Sequence, residues 1–227
     1  MSTRPQRFPH AIKAIRHLQK IDKILAKIIK EAGPVRIEID PDQTIYESLA
    51  RSIFYQQVHA KAAAAIMKRV QAACASPDRF PTPQVFLKVP EAEIRAAGMS
   101  HSKFKSLTDL ATRVSRGELP TRAEAEKLSD QEIIDALTIV RGIGPWTVQM
   151  MLIFTFGRPD VFPVTDYGVR NGFSKVYGKK KMIEAKKLEP LGEHWRPYRT
   201  VASWYMWRAT EFERFKEKKK PKKKIKA

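Results

Sequence analysis

The stretch Ser129-Asp-Gln-Glu132-Ile-Ile-Asp-Ala-Leu137-Thr-Ile-Val140-Arg-Gly142-Ile143-Gly144-Pro145-Trp146-Thr-Val148-Gln-Met150-Met151-Leu152 decides how this chain is read. Ser129 followed three residues later by Glu132 is a capping-box signature, opening a helix along Ile133, Ile134, Leu137 and Val140. Pro145 suits the first position of the next helix, whose apolar face runs through Val148, Met151, Leu152 and Phe156. Between the two, Gly142 and Gly144 flank Ile143 and permit a tight turn at positive φ, with Ile143 placed to plug the gap between antiparallel helices. Without side chains, both glycines also let a phosphate approach the backbone. The amides opening the second helix, and the positive end of its dipole, then point at that phosphate. An ordinary helix–turn–helix connection has the same pattern. The capping box, Pro145 and the charge of the whole chain favour DNA binding.

Working outward, helical periodicity dominates and the expected fold class is all-α. Ile12, Ile15, Leu18, Ile21, Leu25, Ile28 and Ile29 predict one helix, stopped by Gly33-Pro34. Arg36 to Asp40 alternates like a short extended segment, too brief to seed a sheet alone. Ile45, Leu49 and Ile53 mark a helix, and the alanine-rich run from His59 to Ala75 marks another. Thr82 or Pro83 starts a short helix, Gly98 separates two more, and Gly117 to Pro120 breaks the chain. Gly157 and Pro159 end the helix after the hairpin, and Trp195 to Phe215 reads as a last helical region. Residues 1–215 are expected to form one domain of two packed helical subdomains, the central one spanning about 42–117. The run of lysines over 216–227 is expected to be a disordered tail. It serves as a solubilising end, an electrostatic tether to DNA or a localisation signal.

The 227 residues carry 43 Lys and Arg against 24 Asp and Glu, a net charge of +19. Such a chain gains free energy by displacing counterions from a polyanion. A membrane surface competes for that role, but no run approaches the roughly 18 apolar residues of a spanning helix, and the polar, basic N-terminus is no secretory signal. Cys74 is the only cysteine, which excludes an intramolecular disulfide, a four-cysteine iron–sulfur cluster and a cysteine-based zinc site. An intracellular monomer acting on DNA, cytoplasmic or nuclear according to its host, is the expectation.

Asp166 follows Trp146 by 20 residues, inside Phe162-Pro-Val-Thr-Asp166-Tyr167-Gly-Val-Arg170. Taken alone, an aspartate between a proline-containing loop and a helix reads as an N-cap.

The run Leu137 to Val148 followed by Val161-Phe-Pro-Val-Thr-Asp166-Tyr167 resembles the helix–hairpin–helix DNA glycosylase superfamily, and within it 3-methyladenine DNA glycosylase II. The likeness extends over roughly Ile45 to Trp207, including Tyr55-Gln-Gln57-Val-His59-Ala-Lys-Ala-Ala63, Gly98-Met-Ser-His-Ser-Lys103 and Trp195 to Trp207. The resemblance implies two α-helical subdomains with an active-site cleft between them, damaged double-stranded DNA as partner, and Asp166 as the catalytic carboxylate. A carboxylate can stabilise the oxocarbenium character that builds on deoxyribose, and can orient or deprotonate the attacking water. No metal or organic cofactor is required; a cation held by carbonyls near Val140 and Ile143 is suggested by the family alone. Strand-cutting members carry a lysine at the position of Trp146, so excision without strand cleavage is implied.

The resemblance also sets a base pocket of Trp146, Met150, Tyr167 and Trp207, where an aromatic face would attract a cationic methylated purine. Plain packing is the competing reading for Trp146 and Trp207. Met150 stands where the inducible bacterial relative carries tyrosine, which bears on the range of accepted bases. Gln57 aligns with the residue that fills the space left by a flipped nucleotide; otherwise Gln56-Gln57 is a polar helix end. His59, Lys103, Lys105 and Arg170 are candidate DNA contacts, each equally readable as solvated surface. The rival to a glycosylase is a noncatalytic protein that binds distorted or abasic DNA.

Overall fold

The computed structural model describes residues 5–215, so the basic stretch 216–227 lies outside the described residues. In chain order, α1 (Ala11–Ile21) and α2 (Lys23–Ala32) come first, followed by α3 (Ile45–Tyr55), α4 (Ala60–Ala73), α5 (Pro83–Phe86) and α6 (Glu91–Ala96). Next are α7 (His101–Ser115), α8 (Arg122–Ala125), α9 (Asp130–Leu137) and α10 (Pro145–Phe154). The last are α11 (Tyr167–Val176), α12 (Ala185–Leu191) and α13 (Arg199–Ala209). Among the described residues the only strands are Gln6–Arg7 and Glu38–Ile39, a two-residue antiparallel pair. The extended segment read at Arg36 to Asp40 thus finds its partner near the N-terminus. The fold is all-α.

Local chemistry accounts for the helix starts. Thr44, Thr121 and Ser129 each form a full capping box with a glutamate three residues on, satisfying amide donors that no turn of helix reaches. Thr82, Ser100 and Asp166 accept a single amide in the same way. The N-terminal stripe does not form one helix. It breaks at Asp22, whose carboxylate accepts the Ile24 and Leu25 amides and starts α2 afresh. The break leaves Ile12, Ile21 and Ile24 exposed while Leu18, Leu25, Ile28 and Ile29 stay in the core. The last helical region is likewise interrupted, with α13 beginning only at Arg199.

The described residues divide into two compact units, with the chain passing between them after Pro9, Arg36 and Val161. Residues 37–161 supply α3 to α10 to the first unit, so the expected central subdomain of about 42–117 falls wholly within it. Its core is built from Leu49, Ile53, Phe54, Phe86, Leu107, Leu110, Ile133, Leu137, Val148 and Leu152, each almost wholly removed from solvent. Two arginines act as caps for loose carbonyls. Arg122 donates to the backbone of Asp40, Gln43 and Thr155, and Arg158 to that of Ala125, Glu126 and Leu128.

The second unit comprises residues 10–36 and 162–215, with α1, α2 and α11 to α13. Trp195 is fully buried among Phe162, Phe173 and Tyr177. Asp22 sits beside this cluster and accepts hydrogen bonds from the Tyr177 hydroxyl, the Trp195 indole and the His194 ring. Burial alone would raise its pKa. The Leu25 amide and the three side-chain donors outweigh burial and hold it below the usual value. On α11, Gly168 and Gly172 face α13: a Cβ at Gly172 would collide with the Met206 carbonyl, and one at Gly168 would lie 2.7 Å from Trp207 Cδ1.

Candidate active site

In the first unit the hairpin joins α9 to α10. Gly142 adopts φ +77°, and a Cβ there would meet Ser106 Oγ at 2.7 Å, so both its conformation and its surroundings require glycine. Gly144 differs from the sequence expectation: its φ is −105°, an extended N-cap that any residue can adopt, and an added Cβ would meet nothing within 4 Å. Ile143 is buried, as a plug between helices should be, so its part in any DNA contact falls to its backbone. Asp109 on α7 fastens the hairpin by accepting the Arg141 amide at 2.8 Å.

One cavity of about 540 Å³ opens beside this hairpin, lined by Ser52, Tyr55, Gln57, Gly142, Trp146 and Met150 among others. The structure therefore brings together Gln57, the hairpin glycine and two of the expected pocket residues. Trp146 is 44% exposed, far more than a core tryptophan, so the reading of it as core filling is not supported. Gln57 lies in the turn after α3 with φ +54°, an uncommon conformation for a residue with a Cβ. A second cavity of about 450 Å³ shares Ser52, Tyr55 and Met150 with the first and continues along α10 to Phe154, with Glu38, Asp40 and Arg51 on its walls. Trp146, Met150 and Phe154 are spaced by four, so α10 carries an apolar stripe on this face as well as on its core face. Sequence periodicity marked only the core face, because a helix apolar all round has no single face to detect.

In the second unit Asp166 is the N-cap of α11, accepting the Val169 amide at Oδ1 at 2.8 Å. The indole Nε1 of Trp207 donates to the same oxygen at 2.7 Å. Trp207, expected to wall the base pocket, thus holds a carboxylate. Gly168 makes room for that bond, since a Cβ there would also crowd the indole nitrogen and the Asp166 oxygen, each at 3.1 Å. Tyr167 stands beside Asp166, 66% exposed.

Three of the remaining candidates, His59, Lys103 and Arg170, have structural partners, and Lys105 is exposed. His59 is the N-cap of α4, its Nδ1 accepting the Lys61 amide. Lys103 Nζ donates to the Phe54 carbonyl at 2.7 Å, and burial lowers its pKa. Arg170 Nε donates to the Ile183 carbonyl at 2.7 Å, which ties down the loop after α11. For Lys103 and Arg170 these bonds engage part of the cationic group that was expected to meet phosphate. Asp109, which the sequence did not single out, and Gln56, read there only as part of a polar helix end, hold the hairpin and the turn beside it; their partners lie 32 or more positions away, beyond any local pattern.

The family model for HhH-GPD superfamily base excision DNA repair proteins matches residues 50–197. The chain belongs to this superfamily. Among curated relatives of this HhH-GPD chain, DNA-3-methyladenine glycosylase 1 of Schizosaccharomyces pombe is 35% identical over 93% of this chain and 92% of its own length. A solved structure of the S. pombe 3-methyladenine DNA glycosylase Mag1 in complex with abasic DNA matches with a TM-score of 0.82, covering 90% of this chain and 100% of that one. The DNA-3-methyladenine glycosidase of Bacillus halodurans, 32% identical, matches with a TM-score of 0.78 over 92% and 93% of the two chains. The match of the family model contains the hairpin, Trp146 and Asp166, and Trp207 lies just beyond it.

Proposed function

We propose that this HhH-GPD protein is a monofunctional DNA glycosylase that hydrolyses the N-glycosidic bond of alkylated purines, 3-methyladenine first and 7-methylguanine second. The observation that carries the reading is Asp166, a carboxylate fixed from two directions by the Val169 amide and the Trp207 indole. A preoriented anion stabilises positive charge developing on the sugar without reorganising during the reaction. As the glycosidic bond breaks, its electron pair leaves with the purine, whose alkylation-derived positive charge is thereby neutralised. Water adds to the sugar carbon, and its proton passes to Asp166 or to solvent. A cationic purine is already a good leaving group, so a strong general acid is unnecessary.

The first unit supplies recognition in this reading. The amides opening α10 receive a DNA phosphate, and the open space around Gly144 leaves room for it. The exposed face of Trp146 stacks on the cationic base, and Gln57 fills the vacated stack. Trp146 has no amine with which to form a Schiff base, so the product is an abasic site in an intact strand. A monovalent cation at the hairpin belongs to the reading as well: the Val140 carbonyl accepts the Ile143 amide at 3.1 Å and keeps a second lone pair for a hard ion. It would screen the phosphate and takes no part in the chemical steps. The protein acts as a monomer on double-stranded DNA in the cytoplasm or nucleus. No helix among the described residues is long and apolar enough to cross a membrane.

The test is direct. Methylated duplex DNA incubated with the protein should release free alkylpurine and leave alkali-labile sites, and Asp166→Asn should release little or none. Release by the variant at the wild-type rate would refute the assignment of Asp166. Binding of abasic DNA with no release by either protein would favour noncatalytic recognition.

A further inference from the structure

The turn between α3 and α4 is held from two sides. After Tyr55 the chain carries Gln56 at φ −58° and Gln57 at φ +54°. A left-handed conformation is unfavourable for a residue with a Cβ, so its surroundings have to hold it there. On one side Lys103 Nζ donates to the Phe54 carbonyl at 2.7 Å, filling an acceptor at the end of α3 that the helix itself leaves open. On the other side Gln56 Nε2 donates to the Gly142 carbonyl at 2.9 Å, which ties the turn to the hairpin. The hairpin is in turn backed by Ser106 beneath Gly142 and by Asp109 at the Arg141 amide. Lys103, Ser106 and Asp109 recur every three residues on α7, so one helix face supports both the turn and the hairpin.

We propose that Lys103 and Gln56 are positioning residues that lock the Gln57 turn to the hairpin, so that gripping the phosphate and plugging the base stack are actions of one rigid element. The proposal rests on the glycosylase reading, in which Gln57 fills the stack. Its consequence is that the depth at which Gln57 enters the duplex is set by where the hairpin seats on the backbone. Without the Gln56 bridge the hairpin still binds, but Gln57 is free to withdraw and the extruded base returns to the stack more often.

The experiment compares wild type with Gln56→Leu, Lys103→Met and Lys103→Arg on two substrates carrying the same methylated purine, one duplex and one single-stranded. In the duplex, 2-aminopurine opposite the target reports intrusion through its fluorescence. Losing one hydrogen bond should slow duplex excision by about three- to tenfold and reduce the fluorescence change. Single-stranded excision, which has no stack to plug, should proceed at the wild-type rate, and Lys103→Arg should restore part of the duplex loss. Wild-type duplex rates and fluorescence in both Gln56→Leu and Lys103→Met would overturn the proposal, as would an equal slowing on both substrates. If wild type releases no base from either substrate, the glycosylase reading fails, and the fluorescence change alone still decides the lock.

Discussion

Replacing Trp207 with phenylalanine separates two roles that a tryptophan near a reacting sugar can have. Phenylalanine keeps an aromatic ring for packing or stacking but loses the five-membered ring with its N–H, which donates to Asp166 Oδ1 at 2.7 Å. A hydrogen bond to a charged acceptor contributes about 1.5–3 kcal/mol, and each 1.4 kcal/mol or so corresponds to about tenfold in rate. If that bond orients the carboxylate during bond breaking, single-turnover excision should fall roughly 10- to 150-fold. The Val169 amide still caps α11 in the variant, so the melting temperature should move little and affinity for abasic duplex should stay near wild type. Gly168→Ala reaches the same bond from the other side, because its Cβ would stand 2.7 Å from Trp207 Cδ1 and displace the ring; it should reproduce the rate loss. Single-turnover release of alkylpurine, read beside binding of abasic DNA, provides the assay. An unchanged rate in Trp207→Phe, or a loss confined to binding, would refute the positioning argument and return Trp207 to the base pocket.

Other perturbations bear on the hairpin and the buried carboxylate. Gly142→Ala, at φ +77° and against Ser106, should lose about 1–3 kcal/mol of stability in urea unfolding, whereas Gly144→Ala should melt like wild type yet bind duplex DNA more weakly. Equal affinity in Gly144→Ala would show that the open space there receives no phosphate. Asp22→Asn should destabilise the fold by about 2–4 kcal/mol, since three side-chain donors lose their anionic acceptor. Asp22 has a lowered pKa in the folded state, so its contribution is present above about pH 4 and lost as the pH falls through that lowered value. Acid titration of unfolding should therefore be steeper for wild type than for the variant; parallel curves would remove Asp22 from the acid response.

What the sequence made legible is what local chemistry decides. Ser129 and Glu132 form their box, Pro145 opens α10, and the glycine at 142 turns the chain, each through partners within a few residues. Asp166 is both a cap and the candidate catalytic group, because one oxygen serves the Val169 amide and the indole together; the two readings were never exclusive. Features set by distant partners could not be read. The cap at Asp22 is local, but its other carboxylate oxygen accepts from Tyr177 and Trp195, 155 and 173 positions away. Lys103 reads as a free surface cation until α7 brings it to the Phe54 carbonyl. Trp207 has helical spacing to Trp204, which hides the turn of its ring toward Asp166.

The close approach of α11 to α13 has a consequence for how such a protein can change. Gly172 leaves no space for even one added carbon, because the Met206 backbone beneath it cannot step aside as the Trp207 ring beside Gly168 can. The helix that starts at Asp166 is therefore closed to substitution where Gly172 meets that backbone, and selection for new substrates would find few tolerated variants there. The stripe of Trp146, Met150 and Phe154 borders cavities with room to refill, and exchanging its side chains disturbs no backbone contact of that kind. Libraries that vary these three positions should yield altered lesion preference, while libraries at Gly172 should yield mostly unfolded protein.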